Sequence, residues 1–317
     1  DNVDEVLVSF PKGEKNIMVK ILASDGMEAA AVEKLQNLGY QVDQQFYEAD
    51  QLAEQVKNYD VLVVRSATKV REPIIDAAYA AGRLKLVIRG GVGVDNIDVA
   101  YAEEHGIRVR NTPAASSRSV AELALGHMFA LARYIAIANH TMRQGEWNKK
   151  KYEGIELGGK TLGIIGYGRI GRALAEMAQA LGMKVIAADP FVQAPEIVPQ
   201  AELLAQADFI SLHVPAAKGE PPLINAETLA QMKDGAYLVN TSRGALIDEA
   251  ALLAALDSGK IAGAALDVYA EEPTKNEALC QHPRVSVTPH IGGSTQEAQA
   301  RIGDEIVSHI LEMFPQA

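Results

Sequence analysis

Residues 163–189 read GIIGYGRIGRALAEMAQALGMKVIAAD, and they contain the most informative pattern in the chain. An apolar run leads into Gly166, which is typical of a strand buried on both faces. The helix that follows carries apolar residues at helical spacing from Leu174 to Leu181 and ends at Gly182. A second apolar strand ends in Asp189. The stretch therefore predicts a βαβ unit of a parallel sheet.

The glycines of this unit predict a dinucleotide site. Gly166 permits a tight turn, Gly168 lets the backbone approach a pyrophosphate, and Gly171 lets the helix pack close to the strand. The helix N-terminus favours phosphate. Asp189 lies 189 − 171 = 18 residues past the last glycine, where a carboxylate accepts the hydroxyls of a ribose. Because neither Arg nor Lys occurs in residues 189–192, a 2′-phosphate would meet repulsion, and we expect NAD rather than NADP.

Composition excludes several classes of protein. A chain of 317 residues exceeds one comfortable core, so two domains are expected. The net charge of −11 argues against nucleic acid as a partner. A single cysteine, Cys280, argues against a disulfide framework, and we expect no metal site. No stretch is apolar for long enough to predict a membrane span.

The chain outside the βαβ unit alternates strand and helix on both sides of it. Residues 1–16 lack the apolar core of a signal peptide and predict an extension before the first strand, so a cytoplasmic protein is expected. Five strand patterns precede the glycine turn, and five more begin with the strand 184–188. A long apolar helix is predicted from Ser117 towards Met142, and a last helix from Thr295 to Met313.

These alternations predict an α/β fold of two doubly wound parallel-sheet domains. We expect a Rossmann NAD-binding domain over residues 113–290. It is inserted into a discontinuous, flavodoxin-like substrate-binding domain made of residues 1–112 and 291–317.

Four segments together carry a family resemblance. They are RGGVGVDNID at 89–98, the glycine turn with Asp189, LVNTSRGALID at 238–248, and the pair ALDVYAEEP at 265–273 and VTPHIGGST at 287–295. In this order they resemble the D-isomer-specific 2-hydroxyacid dehydrogenases, over nearly the whole of residues 18–313. Within that family VRSATKV at 64–70 and the helix 116–133 are most similar to the short-form D-3-phosphoglycerate dehydrogenases, which lack a C-terminal regulatory domain.

The resemblance implies hydride transfer between NAD and a 2-hydroxy acid, with roles for three residues. Arg243 follows an apolar strand, and its planar guanidinium suits a carboxylate and a carbonyl. His290 lies at a strand end and suits proton exchange near neutral pH. Glu272, beside the alternative Glu271, would orient the imidazole. From the residues alone, a surface Arg243 paired with Asp248 and an unpaired His290 remain open.

The resemblance also implies the binding residues. Besides Arg243 and His290, the residues expected to line the cofactor are Gly166, Gly168, Arg169, Ile170, Gly171, Asp189, His213, Val214, Pro215, Thr241, Ser242, Asp267, Gly292 and Gly293. For a phosphorylated substrate we expect Arg65, Ser66, Lys69, Arg89, Gly90, Gly91, Val92 and Gly93, with the backbone N–H groups of the glycine loop binding the carboxylate. A packed neutral His213 and a plain strand-to-helix turn at 90–93 are the alternatives. The Lys149–Lys151 run is most simply a solvated face.

The first hypothesis is oxidation of D-3-phosphoglycerate to 3-phosphooxypyruvate, which opens serine synthesis, in a homodimer built on the helix that begins at Ser117. A hydroxypyruvate or glyoxylate reductase, or another D-2-hydroxyacid dehydrogenase, is the alternative within the same chemistry. A co-repressor-like protein that senses NAD is a remote alternative, disfavoured by the intact set of Arg243, Glu272 and His290. The segment AAKGEPPLIN at 216–225 departs from the threonines common in relatives.

Overall fold

The computed structural model describes residues 18–315, so the extension predicted over 1–16 lies outside the described residues. The chain divides into two compact units. The first unit takes in the chain up to Thr112 and again from Ala300, and the second runs from Pro113 to Gln299. The second boundary therefore falls inside the last helix, later than the position predicted at 291.

The first unit contains a parallel five-stranded sheet. Its strands are β1 (Lys20–Ala23), β2 (Gln41–Gln44), β3 (Val61–Val64), β4 (Leu86–Arg89) and β5 (Arg108–Asn111). They pair in the order β2-β1-β3-β4-β5, and every pairing is parallel. This is the flavodoxin-like order, with the switch point between β1 and β3. The flavodoxin-like domain predicted from the sequence is confirmed.

The second unit contains a parallel six-stranded sheet. Its strands are β6 (Thr161–Ile165), β7 (Lys184–Ala188), β8 (Phe209–Leu212), β9 (Ala236–Asn240), β10 (Ile261–Leu266) and β11 (Val285–Val287), in the order β11-β10-β9-β8-β6-β7. Outside β7, Ile197 makes a single parallel bridge to Ala187. This bridge lies where the third strand of a Rossmann sheet runs, so the usual order 3-2-1-4-5-6 is kept by the bridge, β7, β6, β8, β9 and β10, and β11 adds a seventh position beside β10.

Helices connect the strands in both units. They are α1 (Ala29–Asn37), α2 (Ala49–Gln55), α3 (Glu72–Ala81), α4 (Val99–Glu104), α5 (Ser117–Ala132), α6 (Ile135–Arg143), α7 (Arg169–Ala180), α8 (Gln200–Gln206), α9 (Ala226–Gln231), α10 (Glu249–Asp257), α11 (Glu277–Cys280) and α12 (Gln296–Met313). Short 3-10 turns occupy Val56–Asn58, Lys149–Lys151 and Gly244–Leu246.

The long helix predicted from Ser117 towards Met142 is wrong, because the chain bends by 66° between α5 and α6. The carbonyl of Ala132 accepts a hydrogen bond from the N–H of Ile155 (2.9 Å) instead of continuing the helix. Tyr134 then adopts a left-handed conformation with φ of 54°. A tertiary hydrogen bond thus ends α5 where the apolar pattern predicts continuation.

Each face of the second sheet is covered by its own core. One face packs Leu212, Leu238 and Leu266 against α8, α9 and α10. The other face packs Ile164 and Val239 against α5 and α7. Strands buried on both faces explain the continuous apolar runs in the sequence, and helices on both faces confirm the doubly wound class.

Among the described residues, no single helix is both long and apolar enough to cross a membrane. Helices α5 and α6 satisfy the length and composition test only when they are taken together across their bend.

Candidate active site

The glycine turn of the second unit is shaped by close backbone contacts. Gly166 has φ of +96°, and a Cβ there would collide with the carbonyl of His213. A Cβ on Gly171 would collide with the carbonyl of Gly166, so the helix can approach the strand only with glycine there. Gly168 has open space around it. Two glycines are therefore required by packing, and the third leaves room for a ligand.

The open space lies at the N-terminus of α7. Gly168 is the N-cap residue, and no side chain caps the helix. Arg169 and Ile170, two of the residues expected to line the cofactor, are the first two residues of this helix. Uncapped N–H groups and the helix dipole favour an anion, so the geometry fits a pyrophosphate.

Asp189 lies at the end of β7 and holds the glycine turn in place. Its carboxylate oxygens accept hydrogen bonds from the backbone N–H groups of Tyr167 and Phe191, both at 2.9 Å. Each carboxylate oxygen has a further lone pair for a ribose hydroxyl. Asp189 thus has a structural role that the sequence pattern does not reveal, beside the binding role that it predicts.

Two buried polar atoms at the ends of β8 and β9 lack a partner among the described residues. They are Nδ1 of His213 and Oγ1 of Thr241. Burial lowers the pKa of His213 to about 4, so the ring is neutral, and its Nε2 pairs with Ser211 Oγ at 2.8 Å. Because an unsatisfied buried polar atom costs about 1–3 kcal/mol, both atoms fit a site completed by a bound cofactor.

Ser242 joins the ends of the same two strands. Its hydroxyl donates to the carbonyl of Val214 at 2.6 Å, and its N–H donates to Asn240 at 3.0 Å. These bonds fix the backbone from Val214 into Pro215. Ser242 therefore shapes the wall of the candidate cofactor site.

The structure brings His290 and Glu272 together. Nδ1 of His290 lies 2.7 Å from Oε2 of Glu272, whose other oxygen accepts from the N–H of Tyr269 at 3.1 Å. The two side chains are 39% and 35% exposed, so a substrate can reach the ring. Of the two predicted carboxylates, Glu272 makes this contact, whereas Glu271 pairs with Lys275 at the surface.

Arg243 contributes charge to the same pair. Burial raises the pKa of Glu272, but the hydrogen bond and charge of His290, the N–H of Tyr269 and the charge of Arg243 outweigh it and hold the pKa below its ordinary value. The guanidinium donates to the carbonyl of Ser242 at 2.7 Å. Asp248, the alternative partner of Arg243 in the sequence, caps α10 by accepting from the N–H of Ala251 at 3.1 Å. The three residues therefore form one electrostatic cluster around an ionised Glu272.

Asp267 is fully buried, and its carboxylate holds the turn that carries His290. It accepts hydrogen bonds from Thr288 Oγ1 (2.7 Å) and from the N–H groups of Ile291 (2.8 Å) and Gly292 (2.9 Å). A Cβ on Gly292 would lie 3.2 Å from the same carboxylate, and one on Gly293 would lie 3.5 Å from Ser116. These predicted cofactor residues thus define the shape of the turn.

In the first unit, the segment 65–69, which follows β3 and carries Arg65 and Lys69, is held in a fixed shape by hydrogen bonds. The carboxylate of Asp25 accepts from the N–H groups of Arg65 (2.7 Å) and Thr68 (3.0 Å), and Asn96 donates to the carbonyls of both residues. Arg65 is half-buried, while Ser66 and Lys69 are exposed. The three predicted phosphate-binding residues are therefore presented by a rigid segment.

The loop from Gly90 to Gly93 differs from its expected role. The N–H of Gly90 donates to the carbonyl of Val64 at 2.9 Å, and that of Gly91 donates to Thr112 Oγ1 at 2.8 Å. The guanidinium of Arg89 donates to the carbonyls of Gly90 and Gly93. The N–H groups of Gly90 and Gly91 thus already have protein partners, so a role in binding a carboxylate is proposed only for the N–H groups of Val92 and Gly93. Arg89 supports the loop through its carbonyls.

The Lys149–Lys151 turn is exposed, as is Trp147, so the lysine run forms a solvated face in this chain. Among residues 18–315, no cluster of three or more His, Cys, Asp or Glu side chains could hold a metal ion.

Fold and site together define a class, that of two-unit α/β proteins with a dinucleotide site and a His–Glu pair. A family model described as "D-isomer specific 2-hydroxyacid dehydrogenase, NAD binding domain" matches residues 125–292. The chain belongs to this family, and its second unit is an NAD-binding domain. The predicted family and the predicted cofactor are both confirmed.

Individual relatives carry different names. A hydroxypyruvate reductase of Thermotoga maritima is 46% identical over 92% of this chain and 97% of its own length. A D-3-phosphoglycerate dehydrogenase of Rattus norvegicus is 44% identical over 93% of this chain and 56% of its own length, so this chain spans about half of that relative. The NAD-bound 3-phosphoglycerate dehydrogenase structure of Entamoeba histolytica matches with a TM-score of 0.79 and 29% identity, over 94% of this chain and 95% of that one.

Sequence reasoning missed the residues that support the site from behind. Thr112 and Asp25 fix the loops of the first unit, and His127 lies behind the His290 turn of the second. His127 occurs in an apolar helical pattern, where nothing distinguishes a polar contact from an ordinary core position.

Proposed function

We propose that this protein is an NAD-dependent dehydrogenase that oxidises D-3-phosphoglycerate to 3-phosphooxypyruvate. The observation that carries the chemistry is the 2.7 Å contact between His290 and Glu272, within the charge of Arg243. The substrate assignment is supported by the rigid presentation of Arg65, Ser66 and Lys69. In this proposal the second unit binds NAD and supplies Arg243 and the His290–Glu272 pair, and the first unit binds the phosphate of the substrate.

We assign to His290 the role of accepting the proton of the substrate hydroxyl. Its Nδ1 is engaged by Glu272, which leaves Nε2 as the nitrogen that exchanges a proton with the substrate. As the C2–O bond becomes a carbonyl, the hydroxyl proton passes to Nε2, and the C2 hydrogen leaves as a hydride. NAD, when bound, supplies the nicotinamide that accepts this hydride. An ionised Glu272 stabilises the imidazolium that forms.

We assign to Arg243 the roles of binding the substrate carboxylate and polarising the developing carbonyl. A guanidinium presents two parallel N–H donors, so it can hold a planar carboxylate and polarise the neighbouring oxygen. Lysine offers a single charged group without this fork. The resting contact of Arg243 with the carbonyl of Ser242 places the guanidinium on the strand end that also carries Thr241.

Reduction of hydroxypyruvate is the second candidate, favoured by the 46% identity to the Thermotoga maritima reductase over nearly all of its length. Both candidates use the same proton relay, so they differ only in the acid that is bound. A homodimer and a cytoplasmic location stay predictions.

A substrate panel separates the candidates. Initial rates are measured with NAD and NADP on D-3-phosphoglycerate and D-glycerate, and with NADH and NADPH on hydroxypyruvate and glyoxylate. We expect kcat/KM for phosphoglycerate to exceed that for glycerate by about 100-fold, the effect of one or two charge-assisted hydrogen bonds. Equal values for the two acids contradict the phosphoglycerate assignment, and a faster hydroxypyruvate reaction supports the second candidate. No reaction with any acid contradicts the dehydrogenase proposal itself.

A further inference from the structure

A buried histidine on α5 lies behind the turn that carries His290. His127 is 4% exposed, on a helix face whose other buried residues are mainly apolar, such as Ala124 and Met128. Both of its ring nitrogens are bonded. Nδ1 lies 3.0 Å from Ser286 Oγ, and Nε2 lies 2.9 Å from Thr288 Oγ1. The ring therefore connects α5 to Ser286, within β11, and to Thr288, the residue that follows β11.

The directions of these hydrogen bonds follow from the chemistry of the hydroxyl. Thr288 Oγ1 donates its single proton to Asp267 Oδ1 at 2.7 Å. Towards His127 it can therefore only accept, so Nε2 carries the imidazole proton, and Nδ1 accepts from Ser286. Burial lowers the pKa of His127 below its ordinary value, which is consistent with a neutral ring in this one tautomer.

The hydrogen bonds continue from Thr288 through Asp267 to the backbone that follows His290, and this series from His127 to that backbone is called the relay below. The same Asp267 carboxylate accepts the N–H groups of Ile291 and Gly292, the two residues that follow His290. His290 itself has φ of +54°, in the left-handed region where a side chain costs about 1–2 kcal/mol. Contacts on both sides of His290 are therefore needed to keep its backbone in this conformation.

We propose that His127 is a positioning residue for the proton transfer: acting through Thr288 and Asp267, it fixes the turn that aims His290. The inference rests on the proposed function, because it assigns His127 to a reaction at His290. The relay uses a histidine because a single side chain must reach Ser286 with one nitrogen and donate to Thr288 with the other.

The alternative is a histidine that serves only the core. In that case an apolar side chain of similar volume would keep the packing but leave Ser286 Oγ without its partner, which lowers stability and leaves kcat of the folded enzyme unchanged. The two readings differ in what happens to the folded enzyme. A packing role affects the melting temperature, whereas a positioning role affects kcat and the order of residues 288–292.

The experiment uses the full chain with four variants of the relay and one control. H127L removes both hydrogen bonds, and H127Q restores a donor near the position of Nε2. T288V breaks the same link from its other end, and T288S keeps the hydroxyl. The control is M128L, which changes the neighbouring buried side chain of α5 outside the relay.

We expect H127L and T288V to lower kcat by about 10- to 100-fold, the cost of misplacing a catalytic group by about 1 Å. KM for NAD should change less than kcat, because the glycine turn 166–171, which fits the pyrophosphate, lies outside these contacts. H127Q and T288S should recover most of the loss, and M128L should keep wild-type kcat. If H127L does not fold, the T288V and T288S pair gives the same test.

A second measurement does not depend on turnover. Hydrogen exchange of the peptide containing Ile291 and Gly292 should accelerate about fivefold or more in H127L and T288V, since a lost protecting bond of about 1 kcal/mol corresponds to a factor of about five. If the wild-type enzyme oxidises none of the acids, the proposed function fails while the exchange measurement still tests the relay. If the wild type is active but H127L and T288V both match M128L in kcat and exchange, the positioning role of His127 is overturned.

Discussion

The chain contains two glycine loops at the carboxyl ends of parallel strands, and their shapes have different origins. In the turn 166–171 backbone atoms approach so closely that a Cβ on Gly166 or Gly171 would collide with a carbonyl. In the loop 90–93 side chains add to the backbone hydrogen bonds that shape it, because Arg89 donates to two of its carbonyls and Thr112 accepts from Gly91.

This difference determines what each loop reveals in the sequence. A requirement for glycine by backbone contact leaves a fixed spacing, so the turn 166–171 could be assigned to a dinucleotide at once. A loop that depends on side-chain contacts leaves only a glycine-rich pattern in the sequence. This pattern predicts that the backbone lies close to a ligand, but it does not show which backbone N–H groups are available to bind it. Four variants or conditions test the comparison, in order of decreasing effect.

The largest effect is expected for G166A. The new Cβ meets the carbonyl of His213 at a backbone φ of +96°, so we expect the free energy of unfolding to fall by at least about 3 kcal/mol. Chemical denaturation measures this loss. G168A is the matched control, because its Cβ meets no protein atom. It should keep wild-type stability, but its affinity for NAD, measured by calorimetry, should fall. Equal stability of the two variants would break the comparison.

The second effect is acid sensitivity caused by His213, which lies against the same turn. Its pKa is lowered to about 4 in the folded protein by burial, against 6.5 when unfolded. Between these values the unfolded chain binds more protons, so stability is lost as the pH falls, by about 3 kcal/mol in all. H213Q should flatten this part of the curve of unfolding free energy against pH. The slope that remains should have the same sign, since burial also lowers the pKa of His127. An unchanged curve in H213Q would contradict this, because it would mean that the pKa of His213 is the same in the folded and unfolded states.

The third effect concerns cofactor choice by Asp189. In D189N the charge that repels a 2′-phosphate is gone, so we expect the ratio of kcat/KM with NAD to that with NADP to fall by about 10- to 100-fold. The variant also loses one tether to Tyr167 or Phe191, but both cofactors meet the same altered turn, so the ratio isolates the charge. A ratio that does not move would place cofactor choice elsewhere.

The smallest effect is expected for T112V in the loop of the first unit. Valine has the same shape but cannot accept from the N–H of Gly91, so we expect a loss of about 1 kcal/mol in stability and a rise of several-fold in the KM of the acid. T112S keeps the hydroxyl and should behave as wild type. If T112V and T112S are alike, side-chain hydrogen bonds do not set the shape of this loop.

Sequence reasoning reached the fold, and it could propose the main site residues, because both depend on local patterns. Strands buried on both faces read as apolar runs, and His290 and Glu272 follow strands within recognisable motifs. The end of α5 was not predictable, because it depends on a hydrogen bond from Ile155, which is distant in the sequence. The supporting residues Thr112 and His127 were missed for the same reason, since each acts through a partner that only the folded chain provides.

The central claim is that the second unit carries the chemistry and the first unit selects the acid. Measuring kcat/KM for D-3-phosphoglycerate and D-glycerate in wild type, H290Q and K69M tests it most directly. We predict that H290Q lowers kcat for both acids by about 1000-fold and leaves their ratio nearly unchanged. K69M should lower the ratio by about 10- to 100-fold and leave the rate with glycerate as it was. Full activity in H290Q, or a K69M ratio equal to that of wild type, would contradict the account.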